Sequence, residues 1–195
     1  KMDSALSIFR DKTLTRQNYE FDGKNFLLLE EKMKHLPTHL DKNIFFDIFK
    51  QFKRIKSSFE ALPTGIIHHD VVLHNLLVKD GRLQAILDFS DMAFSPYIQN
   101  IAVAMAQIIF TYNWQPQQAR VFIDGYRKHH PIMEQEIPLL YELTLARYAT
   151  LIIELHYWNT AYGEDAQRAE FVKDNYDFLK RFRSLGKAEF DTLIT

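Results

Sequence analysis

The sequence predicts an α+β domain that is mostly α-helical, with one small β region near its middle. Three observations predict it. Sixteen Phe and nine Tyr stand against only six Gly, the balance of helices joined by short connections rather than of a turn-rich all-β chain. Ile44, Phe45, Ile48, Phe49, Phe52, Ile55 and Phe59 recur every three or four residues, the period of a core-facing helix. The period then shortens in apolar runs at 64–67, 76–78 and 83–89, with Asp80-Gly81 between the last two. At 195 residues and 47% hydrophobic content the chain can bury one core, so a single domain is expected.

Residues 2–10 read as a short helix and 16–23 as a polar connection. In 24–35, Phe26, Leu27, Leu29 and Met33 fall at mixed helical spacing, and Pro37 ends the segment. Asp41 is placed to cap the long helix. A strand at 64–67 and a hairpin turning at Asp80-Gly81 make the β region. Ser95 then reads as an N-cap with Pro96 at the first helical position, and helices are expected at about 97–110, 116–128, 134–158 and 164–184.

A formal net charge of −1 provides no general attraction for nucleic acid or anionic lipid, which leaves small molecules as the expected partners. The chain has no cysteine, so neither a disulfide framework nor a thiolate metal site is available, and a reducing cytoplasm suits it. Its apolar-rich helices still carry charges such as Arg147 and Glu154, so no membrane span is expected. The first residue is Lys1, and the chain is read as part of a longer protein.

The stretch that carries chemistry is His68-His69-Asp70-Val71-Val72-Leu73-His74-Asn75, followed after the hairpin by Leu87-Asp88-Phe89-Ser90-Asp91. A type I′ turn at Asp80-Gly81 pairs Lys79 with Arg82, Leu77 with Gln84, Asn75 with Ile86 and Leu73 with Asp88. In that register Leu76, Val78, Leu83, Ala85 and Leu87 form an apolar face for the core, while Asn75 and Asp88 are diagonal neighbours on the other. A carboxamide oxygen and a carboxylate so placed suit a hard cation, magnesium first. Phosphoryl transfer needs little more than a metal and a carboxylate that receives the proton of the attacking hydroxyl, and Asp70 fits that second role. His68 is assigned an orienting role, hydrogen bonding to backbone near Asp88.

These residues resemble the signature of the aminoglycoside phosphotransferase and choline kinase superfamily, in which H-x-D-x-x-x-x-N precedes I-D-F. With Ile86 to Met92, and with Asn100-Ile101-Ala102-Val103-Ala104 in the next helix, the sequence looks most like the branch of hydroxylysine and homoserine kinase-like proteins. The resemblance implies the carboxyl-terminal lobe of a protein-kinase-like fold. It implies Asp70 as catalytic base, Asn75 and Asp88 as Mg2+ ligands, ATP as co-substrate, and Asp91 and Arg147 as substrate-site candidates. The substrate would be an amino alcohol, a hydroxy amino acid or an aminoglycoside. Three positions depart from the pattern: His69 and Ser90 replace glycines, and Asn100 stands where the family usually has an aspartate. No Gly-rich phosphate loop and no strand lysine lie upstream, so the amino-terminal ATP-binding lobe is expected to be absent and the isolated piece to be inactive.

Two other readings stand beside this one: an inactive kinase-like scaffold, and a metal-dependent hydrolase using His68, His69, Asp70 and His74. Arg147 can equally pair structurally, and Trp114, Tyr157 and Trp158 can line a pocket for an amine or belong to the core.

Overall fold

The computed structural model describes residues 1–9 and 18–195. The expected helix end at Arg10 and the start of the connection at Arg16 lie outside the described residues. Helix α1 (Met2–Leu6) is followed by a 3-10 helix, Gly23–His35, and by α2 (Lys42–Glu60). The β region comprises β1 (Thr64–Ile67), β2 (Leu76–Lys79), β3 (Arg82–Ile86) and β4 (Ala93–Pro96). Then come α3 (Tyr97–Ala104), a π-helix (Met105–Asn113), α4 (Gln118–Arg127), α5 (Leu140–Tyr162), α6 (Ala166–Leu185) and α7 (Lys187–Ile194). The fold is mostly helical with small antiparallel sheets.

The core forms around α5, which packs against α6, the 3-10 helix, α2 and α3. Helix α2 turns Phe45, Ile48, Phe49, Phe52 and Phe59 onto it, every one at most 1% exposed. Each such side chain contributes about 1.5–3 kcal/mol of burial. Asp41 caps α2, its Oδ1 accepting from Asn43 N at 3.0 Å. In the 3-10 helix Phe26, Leu29 and Met33 are buried, stepping by three and four along one side.

The structure corrects the sequence reading at four places. Ser95 is not an N-cap: it lies in β4, paired opposite Gly65 of β1, and its buried hydroxyl donates to Asp22 Oδ1 at 2.9 Å. Asp22 is the residue that caps the 3-10 helix, so Ser95 ties that helix to the sheet. The helix expected at 97–110 changes pitch at Met105. There the hydroxyls of Thr111 and Tyr148 both donate to the Ala106 carbonyl at 2.9 Å, occupying an acceptor of the helical ladder. The helix expected from 134 begins at Leu140, after a 3-10 turn at Ile137–Leu139, and continues to Tyr162.

The fourth correction concerns the hairpin. Asp80 and Gly81 both adopt positive φ, 51° and 70°, as a type I′ turn requires, and Lys79 pairs with Arg82. A bulge then shifts the register, so that Leu77 opposes Ala85 and Leu76 opposes Ile86. Of the apolar face expected in the core, Leu76 and Ala85 are half-buried while Val78, Leu83 and Leu87 are exposed, Val78 to 62%, and Leu77 is exposed as well. Among the described residues β2 and β3 pair only with each other.

Candidate active site

Strand β1 delivers the chain to His68, and hydrogen bonds shape the loop that follows. His68 Nε2 donates to Leu87 O at 2.9 Å, and its Nδ1 accepts from Asp70 N at 3.3 Å. Because a carbonyl only accepts and an amide N–H only donates, these partners fix the neutral tautomer with hydrogen on Nε2. Leu87 N in turn donates to Asn75 O at 2.8 Å. The segment entering Asp88 is thus tied on one side to His68 and on the other to Asn75.

Asp70 is engaged at both oxygens. Arg147 Nη2 lies 2.9 Å from Oδ1, and Asn75 Nδ2 lies 2.9 Å from Oδ2 and 3.0 Å from the Asp70 carbonyl. Asn75 is buried and spends its amide hydrogens on Asp70, so Oδ1 is the atom it has for a cation. In the observed register Leu87, not Ile86, stands across from Asn75, and Asp88 follows with φ +56°. The strand alternation from which Asn75 and Asp88 were made diagonal neighbours therefore does not extend to them.

Asp88 is exposed. Its Oδ1 accepts from Ser90 Oγ at 2.6 Å and from Ser90 N at 3.2 Å. The Ser90 hydroxyl first, and then its N–H, hold this carboxyl below the usual carboxylate range. The serine found in place of a glycine is thus a direct partner of the expected metal ligand. A carboxamide oxygen and an ionised carboxylate are hard donors that fit magnesium.

His69, the other glycine replacement, keeps a glycine-like backbone at φ +70°. Its N–H donates to Asn100 Oδ1 at 3.1 Å, and its ring Nε2 lies 2.6 Å from Gln99 Nε2. Asn100 thus accepts from the loop backbone, and its Nδ2 donates to Asp3 Oδ1 at 2.8 Å.

Asp70 and Arg147 line a cavity of about 640 Å3 together with Asp91, Gln107, Phe21 and Trp158. Of the three aromatic candidates, Trp158 lines this cavity. Trp114 instead packs under Arg181, 4.0 Å from ring centroid to guanidinium carbon, and Tyr157 lies under Lys32 Nζ at 4.4 Å. Gln107 and Arg147 are buried, and Gln107 Nε2 and Arg147 Nε have no hydrogen-bond partner among the described residues. Sequence reasoning did not single out Gln107, Gln99 or Asp3. They lie far along the chain from the motif, and no spacing rule links them to it.

The model of the APH phosphotransferase enzyme family matches residues 7–137. The chain belongs to this family. Among the relatives of this chain, mouse hydroxylysine kinase is 23% identical over 201 aligned residues, covering 96% of this chain and 54% of that protein. Homoserine kinase from Gluconacetobacter diazotrophicus is 30% identical over 130 residues, covering 64% of this chain and 39% of that protein. A solved amicoumacin kinase, in complex with AMP-PNP, Ca2+ and Ami, superposes with a TM-score of 0.49 at 15% identity, over 88% of this chain and 64% of that one. The chain spans about half the length of the curated hydroxylysine kinases it matches.

Proposed function

We propose that this phosphotransferase moves the γ-phosphate of ATP to a hydroxyl group of a small molecule, with Asp70 receiving the hydroxyl proton. The observation that carries the reading is Asp70 at the edge of the cavity, its carboxylate aligned by Asn75 and Arg147 within a loop pinned by His68. A substrate hydroxyl in the cavity would meet a carboxylate that cannot swing freely, the positioning on which phosphoryl transfer relies. Asn75 and Asp88 would hold the magnesium ion, which when bound neutralises phosphate oxygens.

The cavity supports an amino alcohol or a hydroxy amino acid as acceptor. Asp91 gives it negative charge and Trp158 an aromatic wall for an amine, while Arg147 Nε and Gln107 Nε2, without partners among the described residues, suit an oxygen-bearing group. The exposed apolar side chains of the hairpin, Leu77, Val78, Leu83 and Leu87, are the surface on which an ATP-binding lobe would seat. That lobe would lie in the half of the relatives' length that this chain does not span, and these 195 residues alone would turn over little ATP.

The hydrolase reading loses its ligands. Both ring nitrogens of His68 are engaged by protein atoms, and no cluster of three or more His, Cys, Asp or Glu fit for a metal occurs among the described residues. An ADP-release assay of the complete protein against amino alcohols, hydroxy amino acids and aminoglycosides tests the proposal. Turnover with one class supports it, and a silent panel moves the weight to a scaffold.

A further inference from the structure

The loop that presents Asp70 depends on a group that reads equally well in two ways. A carboxamide carries an acceptor on one arm and donors on the other, and turning it over exchanges them at almost no steric cost. Asn100 serves the loop in only one orientation, with Oδ1 toward His69 N, as observed at 3.1 Å. His69 needs that support. It holds φ +70° with a side chain attached, a sparsely populated conformation that persists only where the surroundings enforce it.

What selects the orientation is on the far side of Asn100. Nδ2 lies 2.8 Å from Asp3 Oδ1, and an ionised carboxylate can only accept. Asp3 reaches this point from α1, which packs against β1, and it is 2% exposed. Its second oxygen accepts from the Tyr126 phenol. Burial, with the Asp3 charge next, pushes that phenol's pKa up, so the donor keeps its proton. Asp3 is therefore a buried carboxylate facing two donors, one of which belongs to the residue that supports the loop.

We infer that Asp3 is a positioning residue for the active-site loop. Acting through Asn100, its carboxylate selects the carboxamide orientation that accepts from His69 N–H, and so maintains the left-handed turn from which Asp70 is presented. Tyr126 and Asn100 both donate to Asp3, and His69 N–H donates to Asn100. For its kinetic readout the inference rests on the phosphotransfer reading of Asp70. For its structural readout it does not.

An exchange of the two side chains tests it in the complete protein. Asn100→Asp alone sets two carboxylates against each other, and Asp3→Ala alone leaves the carboxamide free to invert. Each is expected to lower kcat about tenfold or more, with the KM for ATP nearly unchanged, and to speed hydrogen exchange at the His69 amide. In the double variant Asp3→Asn with Asn100→Asp, the new carboxylate accepts from His69 N–H and from the new carboxamide. Slow exchange and most of kcat should return. A mere anchor for α1 would not make the loop amide follow this exchange. The inference is overturned if Asp3→Ala leaves His69 exchange and kcat as in the wild type, or if the double variant is no better than Asn100→Asp. A wild-type protein without any phosphotransfer would refute the reading of Asp70, while the exchange rates would still decide the role of Asp3.

Discussion

Arg147 Nη2 lies 2.9 Å from Asp70 Oδ1, so the carboxylate proposed to accept a proton is paired with a cation on α5, 77 residues further along the chain. The pair is partly buried, with 8% of the Arg147 side chain and 20% of that of Asp70 exposed. Removing the guanidinium frees one carboxylate oxygen while Asn75 keeps the other. Arg147→Met is expected to lower kcat about ten- to a hundredfold through lost alignment. Steady-state kinetics would show it, and the melting temperature should fall, because removing one partner of a largely buried pair leaves the other charge uncompensated.

Gln107 sits on the π-helix, is buried, and borders the same cavity. An amide nitrogen with no hydrogen-bond partner among the described residues loses little when removed from the free enzyme and more when it bonds a ligand. Gln107→Leu should raise the KM of the phosphoryl acceptor about tenfold, the equivalent of one hydrogen bond, with kcat nearly constant. Acceptor titrations at saturating ATP would measure this.

Gly65 faces Tyr97 so closely that an added Cβ would fall 1.9 Å from the phenol oxygen and 2.2 Å from the ring. The β1–β4 pair and the start of α3 meet at this point, just ahead of the active-site loop. Gly65→Ala should destabilise the fold by about 1–3 kcal/mol through overpacking. Denaturant unfolding would give that loss as a lower midpoint.

Glu136 is buried, and its Oε2 accepts from Met133 N. Burial pushes its carboxyl above the ordinary value of 4.5, with the Met133 hydrogen bond opposing the shift. The folded state thus holds the proton more firmly than the unfolded one. Stability from this group is full below the unfolded value and declines as pH rises through the folded value. Relative to Glu136→Gln, which keeps an acceptor for Met133 but does not ionise, the wild type should lose stability as pH rises from about 4.5 toward neutrality. Melting temperatures of both proteins across that range would check the sign.

Much of the frame was legible because its signals are local. The period of α2, the Asp41 cap, the strand at 64–67 and the positive-φ turn at Asp80-Gly81 each depend on a few adjacent residues. What was not legible depends on partners distant in sequence. Ser95-Pro96 carries a helix-start pattern, yet Asp22 and Gly65 draw it into β4. The bulge between Leu77 and Val78 leaves no mark in the alternation of apolar residues, and it undoes a register argument that counts pairs from the turn. At the site, the motif named Asp70, His68 and Asn75, and the bond expected from His68 to backbone near Asp88 is found at Leu87 O, but the pairing of Asp70 with Arg147 on α5 comes from folding. Asp3 shows the same limit, since nothing near it in sequence announces a link to Asn100.

The most direct test is phosphorylated-product formation by the complete protein with ATP, Mg2+ and a panel of amino alcohols and hydroxy amino acids, comparing wild type with Asp70→Asn. The account predicts product from the wild type and a loss of about 10²–10⁴-fold in kcat for the variant, measured below the melting temperature of both proteins. An equal rate from Asp70→Asn would contradict it, and so would a wild type that forms no product with any acceptor.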